Sequence, residues 1–316
     1  MSYWLARRPL PVVLSFVSSA SPAHPHQNNL PGVLWALAAV GIFTFTYVAA
    51  KLSGTGAAAM QVMWLRYVGG TITTLALLMA RGGLSGIGFA SRPALHIGRA
   101  AAGAFGASSA VYAASNMPVA SASAIGLLDG FFIVLLGLFV LGERISVRQA
   151  LAIGLSMIGA LAVVASQGAF GGWDPAFALP AGVALVGALL VGIESILLKA
   201  LARSERALIV LLSVNVLGAL LLSIPAWFTW VSLPWPWLIA FLGLGPLAIA
   251  AQYCNIRAFR VADASVVGPV RYTWVVYGAL AGAVFFHEPL TPAVWAGIAL
   301  VLAGGCWLAL LRARPA

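Results

Sequence analysis

Apolar residues run along this 316-residue chain in long blocks separated by short polar breaks, without the strict alternation that marks a strand. Ten blocks stand out, at approximately residues 33–52, 58–80, 95–114, 118–141, 148–166, 178–199, 207–229, 235–256, 262–286 and 292–311. Roughly 20 residues at 1.5 Å rise cross about 30 Å of hydrocarbon, so each block is long enough to span a bilayer. Ala, Leu and Gly dominate the blocks and β-barrel periodicity is absent, which predicts helices, the element that satisfies its backbone internally in lipid. The expected fold is an all-α integral membrane protein with ten transmembrane helices.

Composition agrees with the pattern. The chain is 62% hydrophobic and 8% charged, with a mean hydropathy of +1.02, too little polar surface to cover a soluble globule. The net charge of +10 changes meaning once it is laid on the ten spans. Arg7, Arg8, Arg81, Arg92, Arg99, Arg144, Arg148, Lys199, Arg203, Arg206, Arg257, Arg260, Arg312 and Arg314 fall on the side of the N-terminus. Lys51 alone falls near the opposite face, and Arg66 and Arg271 lie inside spans. This is the asymmetry of the positive-inside rule, so both termini are expected in the cytoplasm and the protein in a bacterial inner membrane. A nucleic-acid partner is excluded, because no soluble domain carries a basic face.

Residues 1–29 stand apart as an expected disordered cytoplasmic tail. Arg7-Arg8 and the run from Leu10 to Val17 imitate a secretory signal, but Pro9 and Pro11 interrupt a run that is already short.

Beyond the tail the chain repeats itself. Ala120-Ser121-Ala122-Ser123-Ala124-Ile125-Gly126 recurs as Ala262-Asp263-Ala264-Ser265-Val266-Val267-Gly268. Gly142-Glu143 answers His287-Glu288, Gly159 answers Gly304, and Lys51 answers Lys199. The order of the matches predicts two five-span repeats, 30–168 and 176–312. Five is odd, so the second repeat would enter the membrane inverted, the arrangement that lets secondary transporters alternate access to a central site.

Three segments carry a family resemblance: Gln61-Val62-Met63-Trp64-Leu65-Arg66-Tyr67, then Tyr112 followed by Met117-Pro118-Val119-Ala120-Ser121-Ala122, and Leu141-Gly142-Glu143-Arg144-Ile145. With them the chain resembles the EamA-type branch of the drug/metabolite transporter superfamily over nearly everything beyond residue 30. The resemblance implies ten helices in two inverted halves, a central cavity lined by the first four helices of each half, and peripheral fifth and tenth helices. Where many members have a proline midway along the fourth span, this chain has Asp129-Gly130, whereas Gly268-Pro269 keeps it in the ninth.

Ionisable residues within spans are the site candidates, since a charge near the bilayer centre costs about 2.5–3.5 kcal/mol on insertion scales. Asp129 and Arg271 take the same position in the repeat alignment and would form either a gating or substrate-exchangeable ion pair or a permanent structural one. Glu194, a turn before Lys199, is the first candidate for proton coupling and Asp129 the second; the structural alternative satisfies Glu194 with Arg66 or a neighbouring hydroxyl. Arg66 between Trp64 and Tyr67, and Arg271 beside Tyr272 and Trp274, can hold a carboxylate or stack on a planar ring. Tyr47, Asn116, Gln252, Asn255 and Tyr277 are secondary cavity candidates. Gly268-Pro269 in span 9 is a candidate hinge, as is Gly245-Pro246 in span 8. Gly278-x-x-x-Gly282 permits close helix contact, within the bundle or in a homodimer.

No phosphate loop, HExxH or serine elbow is present, so no catalytic residue, metal site or cofactor is expected. Cys254 and Cys306 read as separate buried thiols, and Glu143 and Glu288 as helix caps. The expected function is a secondary active transporter moving a small molecule through the lipid bilayer by alternating access, with proton coupling. The competing class is a membrane-embedded enzyme acting on a lipid-linked substrate.

Overall fold

The computed structural model describes residues 29–52, 57–80, 91–117, 119–166, 175–287 and 290–311. Residues 1–28, and with them almost all of the expected tail, lie outside the described residues, as do Glu288 and the side chains of Tyr47 and Lys51. The described chain is helical: α1 (Asn29–Leu52), α2 (Ala59–Ala80), α3 (Pro93–Asn116), α4 (Val119–Gly126), α5 (Leu128–Leu141), α6 (Val147–Ser166), α7 (Ala178–Ser204), α8 (Ala207–Phe228), α9 (Trp235–Val261), α10 (Ala264–Val270), α11 (Thr273–Phe286) and α12 (Pro292–Leu310). Asn29, assigned to the tail from sequence, instead opens α1, where it is buried and donates its amide to the carbonyl of Leu311. The two described ends of the chain therefore meet at one end of the bundle.

Seven helical stretches are long and apolar enough to cross a membrane: α2, α4 with α5, α6, α7, α8, α9 and α12. The other expected spans are helical but miss that standard for identifiable reasons. The apolar part of α1 is read only to Thr44. In α3, His96, Arg99, Ser108, Ser109 and Asn116 lower the hydropathy. The ninth expected span is broken, because backbone N–H groups of Arg271 and Tyr272 turn back to Gly268 and Pro269, three residues earlier, and separate α10 from α11.

Span 4 is interrupted more mildly, at Leu127, whose N–H still bonds to the Ser123 carbonyl. The two breaks face each other. Gly130 on α5 lies against the Tyr272 ring and the Gly268 carbonyl, where a Cβ would collide, and Gly268 on α10 lies against Ile133 and the Gly130 carbonyl, where a Cβ would fit only tightly. Small residues here let two interrupted helices cross at backbone distance. α5 and α11 each run 14 residues and each end on a left-handed residue, Gly142 (φ 67°) and His287 (φ 55°). Aligned on these ends, Asp129 falls opposite Trp274 rather than Arg271, so the motif alignment is displaced by nearly one helical turn from the helix alignment.

Packing is dominated by contacts between elements far apart in sequence. α1 and α2 lie on α9, α2 and α3 on α8, α3 and α5 on α7, and α5 on α10. α6 and α12 pair with each other through Gly159, Gly297 and Gly304, where an added Cβ would strike the partner helix, at Gly304 the Ser156 hydroxyl. By contrast, a Cβ on Gly278 would meet nothing among the described residues.

Candidate functional site

Each helix break carries one member of an ion pair. Asp129 is the second residue of α5 and Arg271 is the C-cap of α10. The Arg271 guanidinium donates from Nε (2.8 Å) and lies 2.6 Å from the same Oδ2 through Nη2. The side chains are 31% exposed for Arg271 and 16% for Asp129, leaving a route by which a third polar group can reach the pair. Tyr272, next in sequence, is fully buried against Gly130, and its hydroxyl has no partner among the described residues. Trp274 is exposed and does not join Arg271 in an enclosed aromatic wall.

Arg66 is 8% exposed, and its Nε finds no acceptor among the described residues. Its guanidinium carbon stands 4.6 Å from the ring centre of Tyr67, a cation–π contact. Tyr67 packs on Gly218 of α8, and Trp64 donates to Ser223 and meets Trp230 edge-on. One turn earlier, Gln61 pairs with both backbone groups of Val231, tying α2 to the loop between α8 and α9. The segment quoted for the family resemblance is thus a polar stripe that fixes α2 against α8.

Glu194 is paired, but with neither Arg66 nor a hydroxyl. Arg99 of α3 donates from Nε at 2.9 Å, while Ser195 turns back to the Val191 carbonyl. Arg99 had been assigned to the cytoplasmic flank; it is instead buried between α3 and α7. No periodicity along α3 aims it there. Among the secondary candidates, Gln252 accepts from Asn215, Asn116 turns onto the carbonyl of Tyr112, and Tyr277 lies against Gly41.

A third charged group was missed as a unit. Lys199 on α7 pairs with Glu143, from the loop after α5, and with Asp263 just before α10 at 3.0 Å; Arg203 lies 3.6 Å from the same Asp263 oxygen. Glu143 also accepts the N–H groups of Ala264 (2.9 Å) and Ser265 (2.8 Å). It is indeed a helix cap, but of α10 rather than of its own neighbour. The lysine and glutamate side chains are 3% and 8% exposed. Burial pushes the Glu143 carboxyl up, yet the Lys199 charge and hydrogen bond together with the two α10 N–H groups hold it below its ordinary value. A signal was present in the sequence: Lys199 and Glu143 were both singled out in the repeat, but nothing in one sequence joins them.

Near the same end of α7, His96 Nε2 and Glu205 Oε2 stand 2.7 Å apart, and Ser91 donates to Glu205 through its backbone and hydroxyl. Burial raises the Glu205 carboxyl, and the His96 and Ser91 hydrogen bonds bring it below its ordinary value.

Apolar helices of spanning length around buried, mutually paired charges are those of a multi-pass membrane protein. A solved crystal structure shares the fold, with a TM-score of 0.75 at 20% identity over 88% of this chain and 98% of the other. The model of the EamA-like transporter family matches residues 30–165 and 179–310, and the chain belongs to that family. Similar proteins include a riboflavin transporter of Brucella anthropi, 25% identical over 86% of this chain and 96% of its own length. A riboflavin transporter of Rhizobium johnstonii is 29% identical over 68% of this chain and 70% of its own. The pseudopaline exporter CntI of Pseudomonas aeruginosa is 28% identical over 86% and 94% respectively.

Proposed function

We propose that this protein is a secondary active transporter of a small, planar, polar metabolite, with the flavin class the first to test, working by alternating access between two inverted five-helix halves, 30–168 and 176–312. The observation that carries the reading is the Asp129–Arg271 pair, set across two facing helix breaks and partly exposed. A polar substrate group can replace one partner of such a pair, so substrate binding and helix rearrangement become one event. Arg66 against Tyr67 offers a second cation beside an aromatic face, suited to a planar ring or a carboxylate. The two riboflavin transporters among the similar proteins favour a planar solute.

The Glu143–Lys199–Asp263 cluster joins the end of the first half to α7 and α10 of the second. In this reading it closes the cytoplasmic side, which the positive-inside count assigns to this end. Gly268-Pro269, whose helix gives way at once to the α10–α11 break, serves as the hinge. Proton coupling runs through Glu194 and Asp129, each now held by an arginine that must let go before the carboxylate can take a proton. The protein sits in a bacterial inner membrane with both ends in the cytoplasm. The reading as an enzyme on lipid-linked substrates has no comparable support, since every similar protein above carries a transporter or exporter name.

The test is flux. Purified protein in liposomes loaded with riboflavin should move it across the bilayer chemically unchanged, faster under an imposed pH gradient, with Glu194→Gln abolishing the acceleration. Release of an altered product would remove the transport reading. Flux with an unchanged pH dependence in Glu194→Gln would remove the coupling role.

A further inference from the structure

A groove of about 880 Å³ lies between the second half of α2, the start of α8 and the middle of α9, away from the Asp129–Arg271 pair. Its floor and walls are apolar, with Leu77, Leu208, Ile209, Ile249 and Ala250 along it and Tyr253 at its edge. Leu77, Ala250 and Tyr253 are exposed on helices that span the membrane. At one end the groove carries two arginines, Arg206 and Arg260. Arg260 donates from Nε to the Ala202 carbonyl at 2.7 Å and from Nη2 to that of Glu205 at 3.0 Å, so its guanidinium is fixed where α7 ends. Arg206 immediately precedes α8 and is exposed.

Charge and length together specify the occupant. Along α9 the lining runs from Arg260 down to Pro246, about 21 Å at 1.5 Å per residue. One leaflet of hydrocarbon is about 15 Å thick, and the remainder matches the level of the phosphates. The charged end thus lies at headgroup depth while the apolar body descends towards the bilayer midplane. We propose that this groove is a binding site for an anionic glycerophospholipid, its phosphate on Arg206 and Arg260 and one acyl chain along α9 against α2. Basic pockets between spans are a recurring form of lipid headgroup recognition. Because α2 and α8 meet here, a bound lipid would splint two helices that belong to opposite halves of the chain.

Native mass spectrometry of the full-length protein in detergent, titrated with dioleoyl phosphatidylglycerol or dioleoyl phosphatidylcholine, tests the proposal. The expected result is a single retained phosphatidylglycerol, preferred at least fivefold over phosphatidylcholine. Arg206→Gln should cut that preference at least threefold, and Ala250→Trp, which fills the groove from an exposed position without touching either arginine, should reduce retention of both lipids. Equal retention of the two lipids by the wild type, or wild-type behaviour of both variants, overturns the proposal. So does displacement of the lipid by glycerol 3-phosphate at equal concentration, which would make this a site for a soluble anion, or a dimer that binds no lipid.

Discussion

Two of the charged clusters that join the halves of this protein differ in how they are built. At the end of α7 the Glu143–Lys199 pair is almost sealed and is reinforced by two backbone N–H groups of α10. At the helix breaks the Arg271 guanidinium meets a single Asp129 oxygen through Nε and Nη2, and a third of the arginine stays exposed. Burial raises the penalty of a broken pair, whereas a half-open pair can exchange partners at lower cost. In the proposed mechanism the first cluster is the latch and the second the site, although both are built from acidic and basic side chains.

Breaking the latch should have the largest effect. Lys199→Met leaves the buried Glu143 carboxylate without its cation, while Arg203 still faces Asp263, and should destabilise the protein by about 3–5 kcal/mol, read as a loss of thermal stability in detergent. Asp129→Asn should cost clearly less stability but lower flux at least tenfold. Replacing Arg271 by Gln in addition should add little further loss, because the two act as one unit. Additive losses in that double variant would separate the two residues.

Acid offers a finer distinction. The folded-state carboxyl of Glu143 lies below its ordinary value of 4.5. Its contribution is then fully present above that value and is lost only as pH falls through the lower folded-state value. Protease protection of the loop after α5 should stay constant between about pH 7 and 5 and fall only below the ordinary carboxylate range near 4.3. The smallest effect is expected at Trp274, which is 37% exposed and stands apart from the pair: Trp274→Leu should change flux less than about twofold and stability by no more than about 0.5 kcal/mol.

Much of the fold was legible because lipid imposes a simple rule, that apolar length reports a crossing. The rule blurred where function interrupts it. α3 spends its apolar character on His96 and Arg99, and the ninth expected span is divided at Arg271-Tyr272. Asp129 and Arg271 could be paired from sequence because they share a repeat motif, even though the helix ends align otherwise. Arg99 with Glu194, and Lys199 with Glu143 and Asp263, could not be: each joins residues far apart along the chain with no shared motif, and their meeting depends on how α3 and α10 pack on α7. Arg99 in particular reads as one more flanking charge until α7 is laid beside it.

The claim at the centre is that the latch beside α10 opens and closes during transport, and thiol accessibility addresses it most directly. In protein carrying Cys254→Ser, Cys306→Ser and Ser265→Cys, a membrane-impermeant maleimide should label position 265 slowly at rest. Labelling should accelerate severalfold during riboflavin flux under a pH gradient, and equally in the added background of Lys199→Gln. One unchanging rate under all three conditions would contradict it.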